Sequence, residues 1–189
     1  MSYRYGNHFD RLVDEVAQHY GVGKRFASAY LKRWESPGSL PKEVHQLYSV
    51  KDINDLPSPF PMWFDYAMYA NQRGKDMAAL LMPRAAPSAR RYLDVGCGLG
   101  GFLVAFAQRG LDVFGFDVDQ ERVQLARFNL QDFRIPEPKA VYGDLLDPAF
   151  VATLGKFDII TMIDVIEHVL DVPKALETVL SSERLLLAV

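Results

Sequence analysis

At 189 residues, half of them apolar, the chain is long enough for one domain or a domain with an appendage and can bury a substantial core. A formal charge of −3 gives no electrostatic reason to expect nucleic acid or an anionic membrane as partner, and a single cysteine excludes an internal disulfide framework and a cysteine-rich metal site. No apolar run approaches the ~18 residues of a membrane span, and residues 1–9 lack the basic-then-apolar order of a secretory signal, so a cytoplasmic globular protein is expected.

In chain order, Phe9, Leu12, Val13, Val16, Ala17 and Tyr20 recur at helical spacing until Gly21 and Gly23 stop the pattern. A second helix is expected over 24–35, with Phe26, Ala27, Tyr30, Leu31 and Trp34 on one side, ended by turn residues at 36–39. Pro41 suits the first position of a third helix through Val44, Leu47 and Tyr48. Three prolines within 57–61 exclude regular structure there. An aromatic-rich helical stretch over 62–82 follows, closed by Pro83. Residues 1–85 therefore read as a helical N-terminal region. It is either a cap that covers a cofactor and shapes an acceptor pocket, or a helical layer or dimerisation surface.

From Arg91 the rhythm changes to strand and helix in alternation. Strands are expected at 92–95, 112–116, 140–142, 157–163 and 184–189, with helices at about 99–109, 120–130, 148–154 and 173–180. The run 157–163 is apolar throughout, as in a central strand buried on both faces. The pattern predicts an α/β fold, a Rossmann-like, doubly wound parallel sheet over residues 86–189. Ligands of such sheets sit beyond the carboxyl ends of the strands, where Asp94, Asp117, Asp144 and Asp164 all fall.

The stretch Asp94-Val95-Gly96-Cys97-Gly98-Leu99-Gly100-Gly101 supplies the chemistry. Glycines let a ligand approach bare backbone, and the helix that follows offers unpaired N–H groups and a partial positive charge. Gly96-x-Gly98-x-x-Gly101 also fits a dinucleotide fingerprint, with Asp117 near the distance expected of a ribose-binding acid. An NAD(P)-dependent oxidoreductase is thus an alternative. Asp94, two residues before the first glycine, suits a ligand with an ammonium group better than one presenting a pyrophosphate.

Taken together, Leu93-Asp94-Val95-Gly96-Cys97-Gly98-x-Gly100, Gly115-Phe116-Asp117, Gly143-Asp144 and Phe157-Asp158-Ile159-Ile160…Ile166-Glu167-His168-Val169 resemble the successive motifs of class I S-adenosylmethionine-dependent methyltransferases. The resemblance covers roughly residues 90–189 and implies S-adenosylmethionine as cofactor and S-adenosylhomocysteine as product. It implies that the loop of Gly96, Cys97, Gly98 and Gly100 packs under the methionyl part, with Asp94 nearby. Asp117 would accept from the ribose hydroxyls and Asp144 from the adenine amino group, with Val118 and Leu145 against the ring. Ile163 would pack near the methionyl chain. Arg73, on the helical segment before the first strand, is a weaker candidate for the cofactor carboxylate, and a solvated helix charge is the favoured alternative.

Methyl transfer needs an in-line acceptor held with water excluded, and a base only where the acceptor must lose a proton. His168 is the candidate base, because its ordinary pKa lies near neutrality; the alternative is that Glu167 and His168 orient the loop. Asp164-x-x-Glu167-His168 also resembles the metal motif of small-RNA 2′-O-methyltransferases, but no histidine follows His168 here, and no metal is expected. The anticipated acceptor is a small molecule or glycan methylated on oxygen. The fold family continues past the fifth strand, so the chain is expected to be a fragment of a longer protein that binds the cofactor with an incomplete acceptor site. A non-catalytic cofactor-binding fragment is a further alternative.

Overall fold

Alternate residues of each strand point to opposite sides of a sheet, and that period of two sorts the buried residues of this chain into two cores. Tyr92, Val113, Ala140 and Ile159 pack on one side, and Leu93, Val95, Phe116, Ile160 and Met162 on the other. A computed structural model describes residues 6–33, 66–136, 139–180 and 186–188 of the chain. The expected helix from Pro41, the prolines of 57–61, Trp34, Trp63, Phe64 and the start of the last expected strand lie outside the described residues.

The strands are β1 (Arg91–Val95), β2 (Asp112–Asp117), β3 (Ala140–Tyr142), β4 (Ile159–Thr161) and β5 (Leu186–Ala188). They form one parallel sheet in the order β3-β2-β1-β4-β5. This is the expected doubly wound arrangement. Succession runs outward from β1 in one direction and from β4 in the other, so the strand order reverses between β1 and β4.

The helices are α1 (Gly6–Tyr20), α2 (Lys24–Arg33), α3 (Ala70–Leu81), α4 (Gly101–Ala107), α5 (Gln120–Asp132), α6 (Pro148–Val151) and α7 (Val172–Leu180). One sheet face is covered by Ala78 and Leu81 of α3, Leu103, Val104 and Phe106 of α4, and Val123, Ala126 and Leu130 of α5. The opposite face meets Ala175 and Val179 of α7, with Phe150 and Val151 of α6 at its margin. A third cluster sets Val13, Val16, Tyr20, Phe26, Tyr30 and Leu31 of α1 and α2 against Ala67, Met68 and Leu125, the last from α5. The Asp132 carboxylate accepts from the Phe26 amide at 2.8 Å, satisfying one of the donors that a helix start leaves without an internal partner.

Two backbones meet where α3 crosses α4. A Cβ added at Gly74 would lie 2.3 Å from the Gly101 carbonyl oxygen, and one added at Gly101 would lie 2.2 Å from that of Ala70. The third glycine of the fingerprint therefore serves helix packing.

The helix expected over 148–154 ends at Val151, and three further elements differ from expectation, each for a local reason. Helix α4 begins at Gly101 rather than Leu99, because Gly100 holds a left-handed conformation (φ +75°) that cannot continue a helix. The helical stretch before Pro83 is broken at Tyr69, a turn between helical residues 66–68 and α3. In the run 157–163 only Ile159–Thr161 pairs as strand. Phe157 is buried, but Asp158 turns its carboxylate to the backbone amides of Arg90 (2.8 Å) and Arg91 (2.9 Å), tying the entry of β1 to β4.

Candidate functional site

At the carboxyl ends of β1, β2 and β4 the sheet face toward α3, α4 and α5 turns polar. Its last residues there are Asp94, Asp117 and Thr161, all buried. A cleft of about 780 Å3 opens over β1 and β4 at the point of strand reversal, within the range of ~300–1,000 Å3 usual for small-ligand sites. Its floor is Asp94, Gly96, Cys97, Gly98 and Leu99. One wall is Ala70, Arg73, Asp76, Met77 and Leu80 of α3 with Gly101 and Phe102 of α4. Tyr30, Tyr66 and Ala67 from the helical region, Glu121 and Arg122 from α5, and Ile163 and Asp164 after β4 complete it.

The glycine loop is held from three sides. Asp117 accepts from the Gly98 amide through one carboxylate oxygen and from the Asp119 amide through the other, both at 2.9 Å. From below, the Cys97 amide donates to the Phe116 carbonyl at 2.9 Å. A buried amide pair, Asn71 of α3 and Asn129 of α5, makes reciprocal bonds of 3.1 and 2.7 Å, and Asn129 also donates to the Leu99 carbonyl at 2.9 Å. Gly96 has no room for a side chain, since a Cβ would come within 2.3 Å of a Val165 methyl. Gly98 differs. A Cβ there would stand 3.9 Å from its nearest neighbour, the Gly96 carbonyl oxygen, so a side chain at Gly98 would fill the cleft rather than strike the protein.

Electrostatics divide the site. Asp94 is 4% exposed, and burial pushes its carboxyl up to about 7, against hydrogen bonds from Thr161 and Tyr92 that favour the ionised form. Burial, followed by the charges of Asp94 and Asp117, also holds the Cys97 thiol well above its usual range, which suits a packing role rather than a reactive one. Across the cleft the Arg73 guanidinium lies 4.0 Å from the centre of the Tyr66 ring and donates to the Tyr66 carbonyl. The Tyr66 hydroxyl donates to Asp164 at 2.7 Å. Burial raises the Tyr66 pKa, and its bond to Asp164 adds to the shift. Asp164 itself adopts a left-handed conformation (φ +55°).

Of the residues singled out in the sequence, the cleft gathers Arg73, Asp94, Gly96, Cys97, Gly98, Gly101, Ile163 and Asp164. Asp117 and Gly100 lie behind its floor. Val118 and Asp144 are exposed and Leu145 is buried, at the ends of β2 and β3 outside this cleft. His168 is exposed on a 3-10 turn (Ile166–His168) and does not line it. Among the described residues no three His, Cys, Asp or Glu side chains gather as a metal ion would need. No described helix is long and apolar enough to cross a membrane.

Sequence reasoning missed Tyr30, Tyr66, Asp76, Met77, Leu80, Phe102, Glu121, Arg122 and Thr161. All but one come from helices or from the polar side of a turn, where spacing alone does not say which face meets the cleft. Thr161 carried a signal, a lone hydroxyl inside the apolar run Ile159-Ile160-Thr161-Met162.

A buried acid, an opposed arginine and a glycine loop with free space above it fit a zwitterionic nucleoside ligand. The sheet order and this loop are common to Rossmann-like folds, and the family match singles out among them the class I S-adenosylmethionine-dependent methyltransferases, with that sulfonium compound as cofactor. The chain belongs to the methyltransferase-domain family, which matches residues 69–184.

The relatives differ in what they act on. The chain is 34% identical over 85 residues to the ubiquinone biosynthesis O-methyltransferase of Psychrobacter arcticus, covering 44% of this chain and 33% of that protein. It is 32% identical over 149 residues to the 23S rRNA (uracil(1939)-C(5))-methyltransferase RlmD of Shewanella baltica, covering 78% of this chain and 30% of that one. CalS10, an amino pentose methyltransferase from Micromonospora echinaspora solved with S-adenosylmethionine bound, is 28% identical at a TM-score of 0.49, covering 61% of this chain and 50% of that chain. The chain spans about a third of the length of these curated relatives.

Proposed function

We propose that the protein transfers a methyl group from S-adenosylmethionine to the oxygen of a small molecule or glycan. The observation that carries this reading is the convergence of Arg73, Asp94, Gly96, Cys97, Gly98 and Ile163 on one cleft at the point of strand reversal. S-adenosylmethionine supplies, when bound, an electrophilic methyl group on a sulfonium sulfur. Asp94 receives the ligand's ammonium group and Arg73 its carboxylate, while the bare backbone of Gly96 and Gly98 admits the methionyl chain beside Ile163. Asp117, already fixing the loop through the Gly98 amide, keeps further lone pairs for ribose hydroxyls. Asp144, Val118 and Leu145 hold the adenine end. Residues 1–85 act as cap, since Tyr30, Tyr66 and Ala67 face the cleft, and residues 86–189 as the cofactor-binding core.

For a hydroxyl acceptor the bond to carbon forms as the carbon–sulfur bond breaks, and the hydroxyl proton leaves to a base. His168, exposed on the turn beyond β4, is proposed for that task. An oxygen acceptor is supported by the name of the Psychrobacter relative and by the net negative charge, which does not favour RNA. The Shewanella relative, named for an RNA target, aligns over more of this chain and supports RNA as a second reading.

Calorimetry with S-adenosylhomocysteine and NAD side by side tests the cofactor. Binding of the homocysteine compound, weakened at least ~10-fold in Asp117→Ala, is expected, and binding of NAD alone overturns the reading. With an acceptor in hand, His168→Ala should lower turnover by ~100-fold or more without altering S-adenosylhomocysteine affinity; unchanged turnover removes the base. Methyl label from S-adenosylmethionine appearing in ribosomal RNA instead of small molecules would transfer the proposal to the second reading.

A further inference from the structure

Asp94 and Thr161 stand opposite each other in the β1–β4 register, where the strand order reverses. Thr161 Oγ1 donates to Asp94 Oδ1 at 2.7 Å, and the Tyr92 hydroxyl bonds the same Thr161 oxygen. Tyr92 and Thr161 are 0% exposed and Asp94 4%. The polarity of this chain of bonds follows from its members. An ionised carboxylate only accepts, so the single proton of Thr161 goes to Asp94, while the Tyr92 hydroxyl, with one proton to give, donates either to the Thr161 oxygen or to Asp94 itself and in both cases supports the charge. Burial, reinforced by the Asp94 charge, pushes the Tyr92 phenol well above its usual range, so that its proton stays in place. Its ring is clamped by stacking on Phe106, with centroids 3.8 Å apart and planes 11° from parallel.

We propose that Thr161 is a positioning residue for ligand binding: backed by Tyr92, it favours the ionised form of Asp94 and aims the carboxylate into the cleft, ready for a cationic group. This deepens the reading of the cleft as an S-adenosylmethionine site and rests on it. Two hydroxyls buried between neighbouring strands have no packing need to be hydroxyls. Valine and phenylalanine would fill the same space, whereas a buried charge without donors is costly. Other charged groups around Asp94 are too balanced to replace them. Asp117 at the end of β2 opposes ionisation. Cys97 in the same loop is held as the neutral thiol. Arg73 and Asp76 of α3, Glu121 and Arg122 of α5, and Asp164 after β4 line the cleft with both signs.

The test follows the Asp94 carboxyl itself, by the pH dependence of its side-chain 13C signal, identified by its loss in Asp94→Asn. Thr161→Val removes the donor and keeps the shape. Its Asp94 titration should move up by about one pH unit or more, and its affinity for S-adenosylhomocysteine near neutral pH should fall ~10-fold. Thr161→Ser should titrate and bind as the parent does, and Tyr92→Phe should show a smaller upward movement that serves if Thr161→Val does not fold. An unmoved titration in Thr161→Val and Tyr92→Phe overturns the proposal. So does a Thr161→Ser shift as large as that of valine, which would assign the effect to packing. Failure of the parent protein to bind S-adenosylhomocysteine, with the Asp94 titration still moving as stated, removes the cofactor reading and leaves the relay standing.

Discussion

The two faces of the sheet are built from the same strands and differ only in which alternate residues they receive. Leu93, Val95, Phe116, Ile160 and Met162 keep one face apolar to the ends of the strands, beneath α6 and α7. The other face is apolar at Tyr92, Val113 and Ile159 and then closes with Asp94, Asp117 and Thr161. One face therefore contributes folding free energy along its whole length. The second surrenders its last row to buried polar groups, each of which needs a partner. A binding site is thus confined to one side of a sheet without any change in its backbone.

Substitutions should separate the two faces. The largest effect is expected at Ile160, 1% exposed on the apolar face: Ile160→Ala should cost about 2–5 kcal/mol in denaturant unfolding, with S-adenosylhomocysteine affinity of the folded fraction unchanged. A pH dependence distinguishes the polar face. Asp94 binds its proton in the folded state up to about pH 7, against a usual value of 3.8, so the folded state holds more protons than the unfolded between those limits. The stability this confers is complete below about pH 4 and is lost as pH rises through 7. Unfolding curves across that window should fall by up to a few kcal/mol in the parent, and Asp94→Asn should flatten them.

Next in size is Asn129→Ala, which strands Asn71 and the Leu99 carbonyl without their amide partner. A loss of about 1–3 kcal/mol, with faster amide exchange in the glycine loop, is expected. Smallest is Asp158→Asn at the opposite end of the strands. Backbone amides of Arg90 and Arg91 hold this half-buried carboxyl below its usual range, so its contribution is present above the ordinary carboxylate pKa and fades as pH falls. The change should cost less than about 1 kcal/mol at neutral pH and leave binding untouched.

The sheet was legible from the sequence because its strands announce themselves twice, by apolar runs and by the acids that end them. Asp94 and Asp117 were found this way, and both are buried at strand ends on one face. Runs overstated the ladder, however. Phe157 is apolar because it is buried between Phe114 and the Arg91 guanidinium, not because it pairs. The far wall was not legible, since Arg122, Glu121, Met77 and Phe102 face the cleft through helix rotations fixed by packing. Nor was the buried Asn71–Asn129 pair, whose partners are 58 residues apart.

The contact between Gly74 and Gly101 has a mechanical consequence. Where two backbones touch with no side chain between them, there is nothing compressible to absorb a displacement. The α3 wall and the floor that leads into α4 accordingly travel as one solid body, and a bulky ligand cannot pry them apart. Any widening of the cleft falls on the opposite rim, where, among the described residues, the hydroxyl–carboxylate bond from Tyr66 to Asp164 spans the mouth.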